Sequence, residues 1–194
     1  MPLAGMDNHF AFNEIREASG IKDLADRKLV DVSMIDNVGE RHSFEPEMRA
    51  FGIDPKRYPA SFWPPFLQPN YNPKTFHGSD LTTEGFTTYG SMVWWPVEGL
   101  PEGQDPGLYL GSPGWNFSGL VDYVWGLMNS LSNAAIYVHC MLGADRTGAF
   151  HAGYLMRTKG QNLSDALLKA TFSTSAGAPN GDYHRLVSAY AATL

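Results

Sequence analysis

The single cysteine of this chain, Cys140, has neighbours whose types and spacing suit phosphate chemistry. His139 precedes it, Gly143 follows three residues later, and Arg146 follows six residues later. A planar guanidinium group can bind two phosphate oxygens at once, and a cysteine thiolate is a nucleophile. The segment therefore predicts an anion-binding loop with a nucleophile at its base.

The residues that flank this segment predict a strand before it and a helix after it. Ala135–Val138 is a short apolar run typical of a buried strand, and 146–158 has a helical pattern. A turn from a strand into a helix directs several backbone N–H groups and the positive end of the helix dipole at one point. We expect Gly143 to let this turn close around an anion. The residues predicted to bind phosphate are Met141, Leu142, Gly143, Ala144, Asp145 and Arg146.

The pattern of His-Cys, five residues and Arg-Thr resembles the signature of the protein tyrosine phosphatase superfamily. Its ending, Gly-Ala-Asp-Arg-Thr-Gly, is most similar to bacterial-type dual-specificity phosphatases. The resemblance is specific over about residues 136–166 and extends loosely to the helices that follow. Upstream of Asn116 it is limited to the order of the elements.

This resemblance implies a role for each residue of the motif. Cys140 would be the nucleophile and Arg146 the ligand of the phosphate and of the transition state. Thr147 would assist departure of the thiolate in the second step, and His139 would orient the loop without acting as a base. The resemblance implies no metal and no cofactor.

The general acid that protonates the leaving oxygen is harder to place. Trp95-Pro96 resembles the Trp-Pro-Asp of tyrosine-specific members, but Val97 stands where the aspartate would be and Glu98 follows. Asp105 lies 35 positions before the cysteine, in the same predicted loop. This spacing favours Asp105 as the acid, with Glu98 and Glu102 as alternatives.

Other residues of the motif bear on the substrate. Met141 and Leu142 replace the lysines of loops that prefer highly phosphorylated inositides, which weakens that substrate class. Asp145 beside a phosphate is electrostatically awkward unless its side chain turns outward or pairs with a cation. Arg41 and His42, after a predicted strand, are possible second phosphate contacts or solvated loop residues.

The remaining sequence predicts an α/β fold with the phosphate loop between a strand and a helix. The resemblance implies a mostly parallel central sheet of four or five strands with helices on both faces, and the length predicts a single phosphatase domain over residues 1–194. Two proline-rich stretches, Tyr58–Pro73 and Val97–Gly114, predict long loops. Besides the segments already given, the predicted strands are 29–35 and 91–95. The predicted helices are 116–131, 163–172 and 183–192, with one helix or two short ones over 13–27.

Composition narrows the classes of partner. The chain has 14 Lys and Arg against 20 Asp and Glu, a net charge of −6, and no basic run that would follow a nucleic-acid backbone. No apolar stretch approaches the roughly 20 residues that span a bilayer. We expect a cytoplasmic protein that acts on a phosphorylated protein or a small phosphomonoester, without nucleic acid or membrane insertion.

These features predict a cysteine-dependent phosphatase that hydrolyses phosphate monoesters through a phosphocysteine intermediate, as a phosphotyrosine or dual-specificity protein phosphatase. Two alternatives stay open at this point. One is an inositol-polyphosphate or phosphoinositide phosphatase of the same superfamily. The other is a pseudophosphatase, which binds phosphate without turnover.

Overall fold

The described residues of the chain fall into two compact units in a computed structural model. The structure describes residues 12–36, 39–57, 74–80, 89–111, 116–173 and 177–194. Of these, the sheet unit contains 12–36, 39–57, 74–80, 89–94 and 131–141, and the helical unit contains 95–111, 116–130, 142–173 and 177–194. That the whole chain is one domain stays a prediction, and the predicted loop Tyr58–Pro73 lies outside the described residues.

The sheet unit is built on four described strands in the order β2-β3-β1-β4. β1 pairs in parallel with β3 and β4, whereas β2 pairs with β3 in antiparallel fashion. A proline-containing helix, α2, follows β1 along the chain. The bounds in this unit are α1 Phe12–Ser19, β1 Lys28–Ser33, α2 Arg41–Ala50, β2 Lys74–Asp80, β3 Tyr89–Trp94 and β4 Ala134–His139.

The central strand β1 is buried on both sides from Leu29 to Ser33. A strand between two parallel neighbours, covered on both faces, reads as a continuous apolar run rather than an alternating one. The sequence around Val30 and Val32 has that character, but it also carries Asp31 and Ser33. Two buried polar side chains in such a run need partners. Those of Asp31 and Ser33 belong to the cluster of side chains around His139.

The helical unit consists of five helices in its described part. Apolar spacing predicts the first long one, and its residues Phe117, Leu120, Val121 and Val124 are buried. Gly153 of the next long helix lies where an added Cβ would be 3.0 Å from the Phe117 ring. The bounds are α3 Pro106–Leu110, α4 Phe117–Ser130, α5 Asp145–Lys159, α6 Leu163–Ser173 and α7 Gly181–Ala191.

Helix α2 was not predicted, and three further local predictions need correction. The stretch predicted as a loop after Val97 contains α3, because Asp105 caps it by accepting a hydrogen bond from the Gly107 N–H and a proline fits the first turn. The cap of α7 is Asn180, whereas the predicted start of this helix at residue 183 would place the cap at Asp182. Strand β2 was not predicted, since its Gly and polar residues give a weak strand signal and it pairs with only one described neighbour.

The fold class is confirmed as α/β with a mostly parallel sheet. The phosphate-loop segment lies between β4 and α5, as expected. That helices cover both faces of the sheet stays a prediction. Among the described residues, none of the helices combines the length and apolar character needed to cross a bilayer.

Candidate active site

Cys140 lies directly after the last residue of β4, in the sheet unit. Its neighbour His139 is paired in register with Ser33 of β1, and the His139 carbonyl accepts a hydrogen bond of 2.9 Å from the Met34 N–H. The cysteine is buried, with 6% of its surface exposed. The pairing of β4 with the central strand β1 therefore fixes the position at which Cys140 leaves the sheet.

The imidazole of His139 lies against two buried carboxyl groups in the same unit. Its Nε2 is 3.0 Å from Oε1 of Glu47 in α2 and 3.1 Å from Oδ1 of Asp31 in β1. Ser33 Oγ donates to the other oxygen of Glu47 at 3.2 Å. On the opposite side of the ring, Nδ1 is 3.3 Å from the carbonyl oxygen of Cys140. His139 thus connects a buried acidic pair to the backbone of the cysteine.

Burial and charge shift the pKa values of all three groups. Burial raises the pKa of Asp31 well above its ordinary value, and the charge of Glu47 raises it further. Burial would also raise the pKa of Glu47, but the charge and hydrogen bonding of His139 outweigh it and the pKa is lowered. For His139, burial opposes the charged form, yet Glu47 and Asp31 prevail and raise its pKa well above the ordinary value.

The donor atoms of Asp31, Glu47 and His139 all lie within 4.8 Å of one another, a spacing that a cation could use. A metal ion would require Nε2 of His139 without its proton. The two carboxyl groups favour the protonated ring instead. A shared proton therefore fits these donors better than a metal ion.

The helical unit contains the second half of the predicted loop. Gly143 has a φ of 79°, the left-handed conformation that favours glycine. The Ala144 carbonyl accepts a 2.9 Å hydrogen bond from the Gly148 N–H as α5 begins. Leu142 is 61% exposed, whereas Asp145 is half-buried. The observed backbone suits a turn that enters a helix.

The carboxylate of Asp145 binds a backbone N–H group at the start of α7. Its Oδ1 accepts a hydrogen bond of 2.7 Å from the backbone N–H of Asn180. Asn180 in turn caps α7 by accepting hydrogen bonds from the N–H groups of Asp182 and Tyr183. Asp145 therefore ties the start of α5 to the start of α7.

Arg146, in the first turn of α5, is held by a tyrosine of α7. Its Nε donates to the hydroxyl oxygen of Tyr183 at 3.2 Å, and that hydroxyl donates to the Val97 carbonyl at 3.1 Å. Burial is the main cause that raises the pKa of Tyr183 to about 12, so the hydroxyl keeps its proton near neutral pH. The chain from Arg146 through Tyr183 to Val97 fixes the direction of the guanidinium stem.

The segment after Trp95-Pro96 is docked on the same end of α7. The Leu100 N–H donates to the Asp182 carbonyl at 2.9 Å, and Arg185 Nε donates to the Leu100 carbonyl at 3.0 Å. A Cβ on Gly99 would lie 2.6 Å from the Cβ of Asp182, so this close approach requires glycine. The segment that contains the candidate general acids is therefore attached to α7, the helix that holds Arg146.

The three candidate acids have different surroundings. Asp105 is exposed and uses Oδ1 to cap α3 through a 2.9 Å hydrogen bond from Gly107. Glu102 is exposed in a turn. Glu98 is half-buried, and its charge adds to burial in raising the pKa of Tyr109 and of Tyr183. Glu98 thus acts electrostatically on the tyrosine that holds Arg146.

Two residues outside the motif, Arg41 and His42, were predicted as possible phosphate contacts or as solvated loop residues. Arg41 forms an ion pair of 2.7 Å with Glu45 and donates to the Pro55 carbonyl, both within the sheet unit. His42 is exposed in the first turn of α2. These contacts give Arg41 a structural explanation.

We predict that Tyr183→Phe lowers kcat/KM about 10-fold, since it removes the hydroxyl that orients Arg146 while keeping the buried ring. The Val97 carbonyl would also lose its donor, at a cost of about 1 to 3 kcal/mol in the free energy of unfolding. Steady-state kinetics and urea unfolding measure the two effects. The matched control is Tyr190→Phe, in the same helix and also buried, which we expect to leave kcat/KM within about twofold. Equal losses in the two variants would contradict the role of Tyr183.

Four residues that support the motif were not predicted from the sequence: Asp31, Glu47, Asn180 and Tyr183. Asp31 gave a usable signal, because an ionisable residue inside an apolar strand run needs a partner. Glu47 and Tyr183 gave none, since each is distant in sequence from the residue that it contacts. Asn180 was passed over because Asp182 is also a good cap by type.

No family model and no curated protein matches the chain. Among solved structures, human DUSP28 is 16% identical, with 92% of this chain and 84% of that chain covered and a TM-score of 0.47. Tk-PTP in its active form is 11% identical, with 91% and 87% covered and a TM-score of 0.47. The catalytic domain of human protein tyrosine phosphatase non-receptor type 18 is 16% identical, with 94% and 64% covered and a TM-score of 0.46. At these scores, the chemistry of this chain has to be derived from its own residues.

Proposed function

We propose that this protein is a cysteine-dependent phosphatase that hydrolyses phosphate monoesters through a phosphocysteine intermediate. The observation that carries the proposal is the strand, turn and helix that contain the only cysteine and, six residues later, an arginine held by Tyr183. Cys140 directly follows the strand and Arg146 lies in the first turn of the helix. This is the order of elements in which backbone N–H groups and a helix dipole bind an oxyanion.

In the first step, the thiolate of Cys140 attacks the phosphorus of the bound monoester. The P–S bond forms as the bond from phosphorus to the leaving oxygen breaks, and a carboxylic acid gives its proton to that oxygen. Arg146 and the backbone N–H groups of residues 141–146 bind the equatorial oxygens, where the charge of the transition state lies. His139 orients the loop.

In the second step, water attacks the phosphorus of the phosphocysteine. The carboxylate left by the first step accepts a proton from the water, the P–S bond breaks, and inorganic phosphate is released. The Thr147 hydroxyl stabilises the departing thiolate. The positive charge needed for phosphoryl transfer is supplied by Arg146 and backbone dipoles, so the proposed reaction uses neither metal nor cofactor.

The substrate that we propose is a phosphorylated protein or a small phosphomonoester, with phosphotyrosine or dual specificity. Leu142, which is 61% exposed, gives the loop an apolar outer side chain. A polyanionic inositol phosphate would gain more from basic side chains at such positions. A cytoplasmic location and the absence of a nucleic-acid partner stay predictions.

The direct test is steady-state phosphate release from a panel of a phosphotyrosine peptide, a phosphothreonine peptide, a phosphoinositide and inositol hexakisphosphate. We expect turnover of the peptides, unchanged by EDTA and blocked by vanadate and by peroxide, which oxidises a thiolate. Loss of activity in EDTA with recovery on adding a divalent metal would contradict the reaction class. Phosphate binding without turnover of any member of the panel would indicate a pseudophosphatase.

We propose Asp105 as the general acid and predict that Asp105→Asn slows phenyl phosphate hydrolysis about 10²- to 10⁴-fold, with a much smaller effect on a nitrophenyl ester. Departure of a basic leaving group such as phenolate requires a proton from the acid, whereas departure of an activated group such as nitrophenolate does not. The alkaline limb of the pH dependence of kcat/KM should also disappear. Because asparagine caps helices as well as aspartate does, this variant keeps α3 intact.

Glu98→Gln is the comparison for this test, since Glu98 acts on Tyr183 and follows Trp95-Pro96. We expect it to retain the leaving-group pattern of the wild type. If Glu98→Gln shows the selective loss and Asp105→Asn behaves like the wild type, the acid is Glu98. Asp105 would then serve only as the cap of α3.

A further inference from the structure

Asp31 and Glu47, the two acidic residues beside His139, have no role in the reaction proposed above. Asp31, Glu47 and His139 come from β1, α2 and β4, and their side chains are 0%, 2% and 8% exposed. Ionisable groups are retained at such burial only with partners, because an unpaired buried charge costs several kcal/mol. Asp31 and Glu47 lie 16 residues apart and face one ring.

The hydrogen bonds of the cluster define where its protons lie. The Cys140 carbonyl can only accept, so Nδ1 of His139, 3.3 Å away, must carry a proton to bind it. Nε2 faces two carboxyl groups, at 3.0 and 3.1 Å, and a protonated Nε2 can donate to them. With both nitrogens protonated, the ring is an imidazolium.

The two carboxyl groups differ in their partners. Glu47 receives hydrogen bonds from Ser33 and from His139, which suits the ionised form. Asp31 shares Nε2 of His139 with Glu47, at 3.1 Å from its Oδ1, and its two buried oxygens accept no further hydrogen bond from a described residue. A protonated Asp31 avoids an unsolvated second anion and can donate to Glu47. The cluster is then neutral, with one positive and one negative charge.

We propose that Glu47 is a positioning residue that holds His139 doubly protonated, with Asp31 as its neutral partner, so that the His139 Nδ1–H fixes the carbonyl of the nucleophile, Cys140. The proposal rests on the function proposed above only in calling Cys140 the nucleophile. Glu47 supplies the counter-charge, and neutral Asp31 supplies a hydrogen bond. The imidazolium also places a positive charge on the residue before Cys140.

Other groups that face the ring are consistent with this assignment. The Tyr137 ring stacks on the imidazole with centroids 4.8 Å apart. Burial is the main cause that raises the pKa of Tyr137, and the charge of Glu47 raises it further, so this hydroxyl stays neutral. Ser33 contributes a neutral donor. Of the described groups named here, Glu47 is therefore the anion that balances the imidazolium.

The test is nitrogen NMR of the full chain labelled with ¹⁵N-histidine, with the His139 resonances assigned through contacts to Tyr137. We expect both ring nitrogens of His139 to be protonated at pH 8, above the ordinary imidazole pKa of about 6.5. Asp31→Asn, which replaces a neutral acid by a neutral amide, should leave both protons in place at pH 8. Glu47→Gln should lose one of them.

The variants Asp31→Asn and Glu47→Gln should also differ in the reactivity of the only thiol, that of Cys140. Iodoacetamide alkylation of Cys140 as a function of pH should have the same midpoint in the wild type and in Asp31→Asn. In Glu47→Gln the midpoint should rise by about one pH unit, since the neighbouring positive charge is lost. Glu47→Asp, which keeps the anion, should restore at least half of the shift.

A single protonated ring nitrogen in wild-type His139 at pH 8 would overturn the proposal, and this measurement needs no variant. So would equal alkylation midpoints in Asp31→Asn and Glu47→Gln. NMR and alkylation require no turnover. If both behave as expected and no phosphomonoester is hydrolysed, the proposed function fails while the positioning of Cys140 by His139 stands.

Discussion

Replacing Cys140 with serine should reduce steady-state phosphate release below about one hundredth of the wild-type rate, because a serine hydroxyl does not ionise near neutral pH and cannot replace the thiolate as nucleophile. The substitution changes one atom at a buried position. We therefore expect the fold to be kept. Binding of inorganic phosphate, measured by calorimetry, should also be kept, since Arg146 and the backbone donors are unchanged.

The two readouts of Cys140→Ser separate a chemical role from a structural one. The circular dichroism spectrum should match that of the wild type, and the free energy of unfolding in urea should agree within about 1 kcal/mol. A folded variant with more than a hundredth of the wild-type rate would show that the cysteine is not the nucleophile. Loss of phosphate binding together with loss of fold would assign Cys140 to the core.

Replacing Arg146 with lysine should lower kcat about 10²- to 10³-fold, although the positive charge is retained. An ammonium group is a point charge and cannot reproduce the planar pair of N–H donors that matches two phosphate oxygens. Lysine also lacks the Nε–H that donates to the Tyr183 hydroxyl. Steady-state kinetics with a phosphotyrosine peptide measures the effect.

Arg157→Lys is the matched control for Arg146→Lys. It lies in the same helix, α5, where it pairs with Asp122 at 2.9 Å and stacks over the Trp125 ring at an exposed position. We expect this surface variant to keep kcat within about twofold of the wild type. A near-normal rate in Arg146→Lys, or equal losses in the two variants, would mean that Arg146 is structural.

The sequence is most informative where chemistry and local structure coincide. The residues that flank the His139–Arg146 segment predicted a strand before it and a helix after it, and the structure has β4 and α5 there. Apolar periodicity likewise predicted α4, which begins and ends within one residue of the predicted bounds. In these segments, the signal comes from residues that are close in sequence.

The rest depends on contacts between residues that are distant in sequence. Glu47 lies 92 positions before the His139 ring that it contacts, and Tyr183 lies 37 positions after Arg146. Neither pairing leaves a local pattern, so no spacing could have predicted it. The short helix α3 was missed for a different reason, because Gly and Pro between Val97 and Gly114 obscured a capped single turn.

The phosphocysteine is the central claim, and rapid-quench mass spectrometry tests it most directly. The protein is mixed with a phosphotyrosine peptide, stopped in acid within milliseconds, digested and searched for the mass of one phosphoryl group. We expect that group on the peptide containing Cys140 in the wild type, with a larger steady amount if the second step is slowed by Thr147→Ala. Turnover of the peptide with no phosphoryl group on Cys140 at any quench time, in either protein, would contradict covalent catalysis by this cysteine.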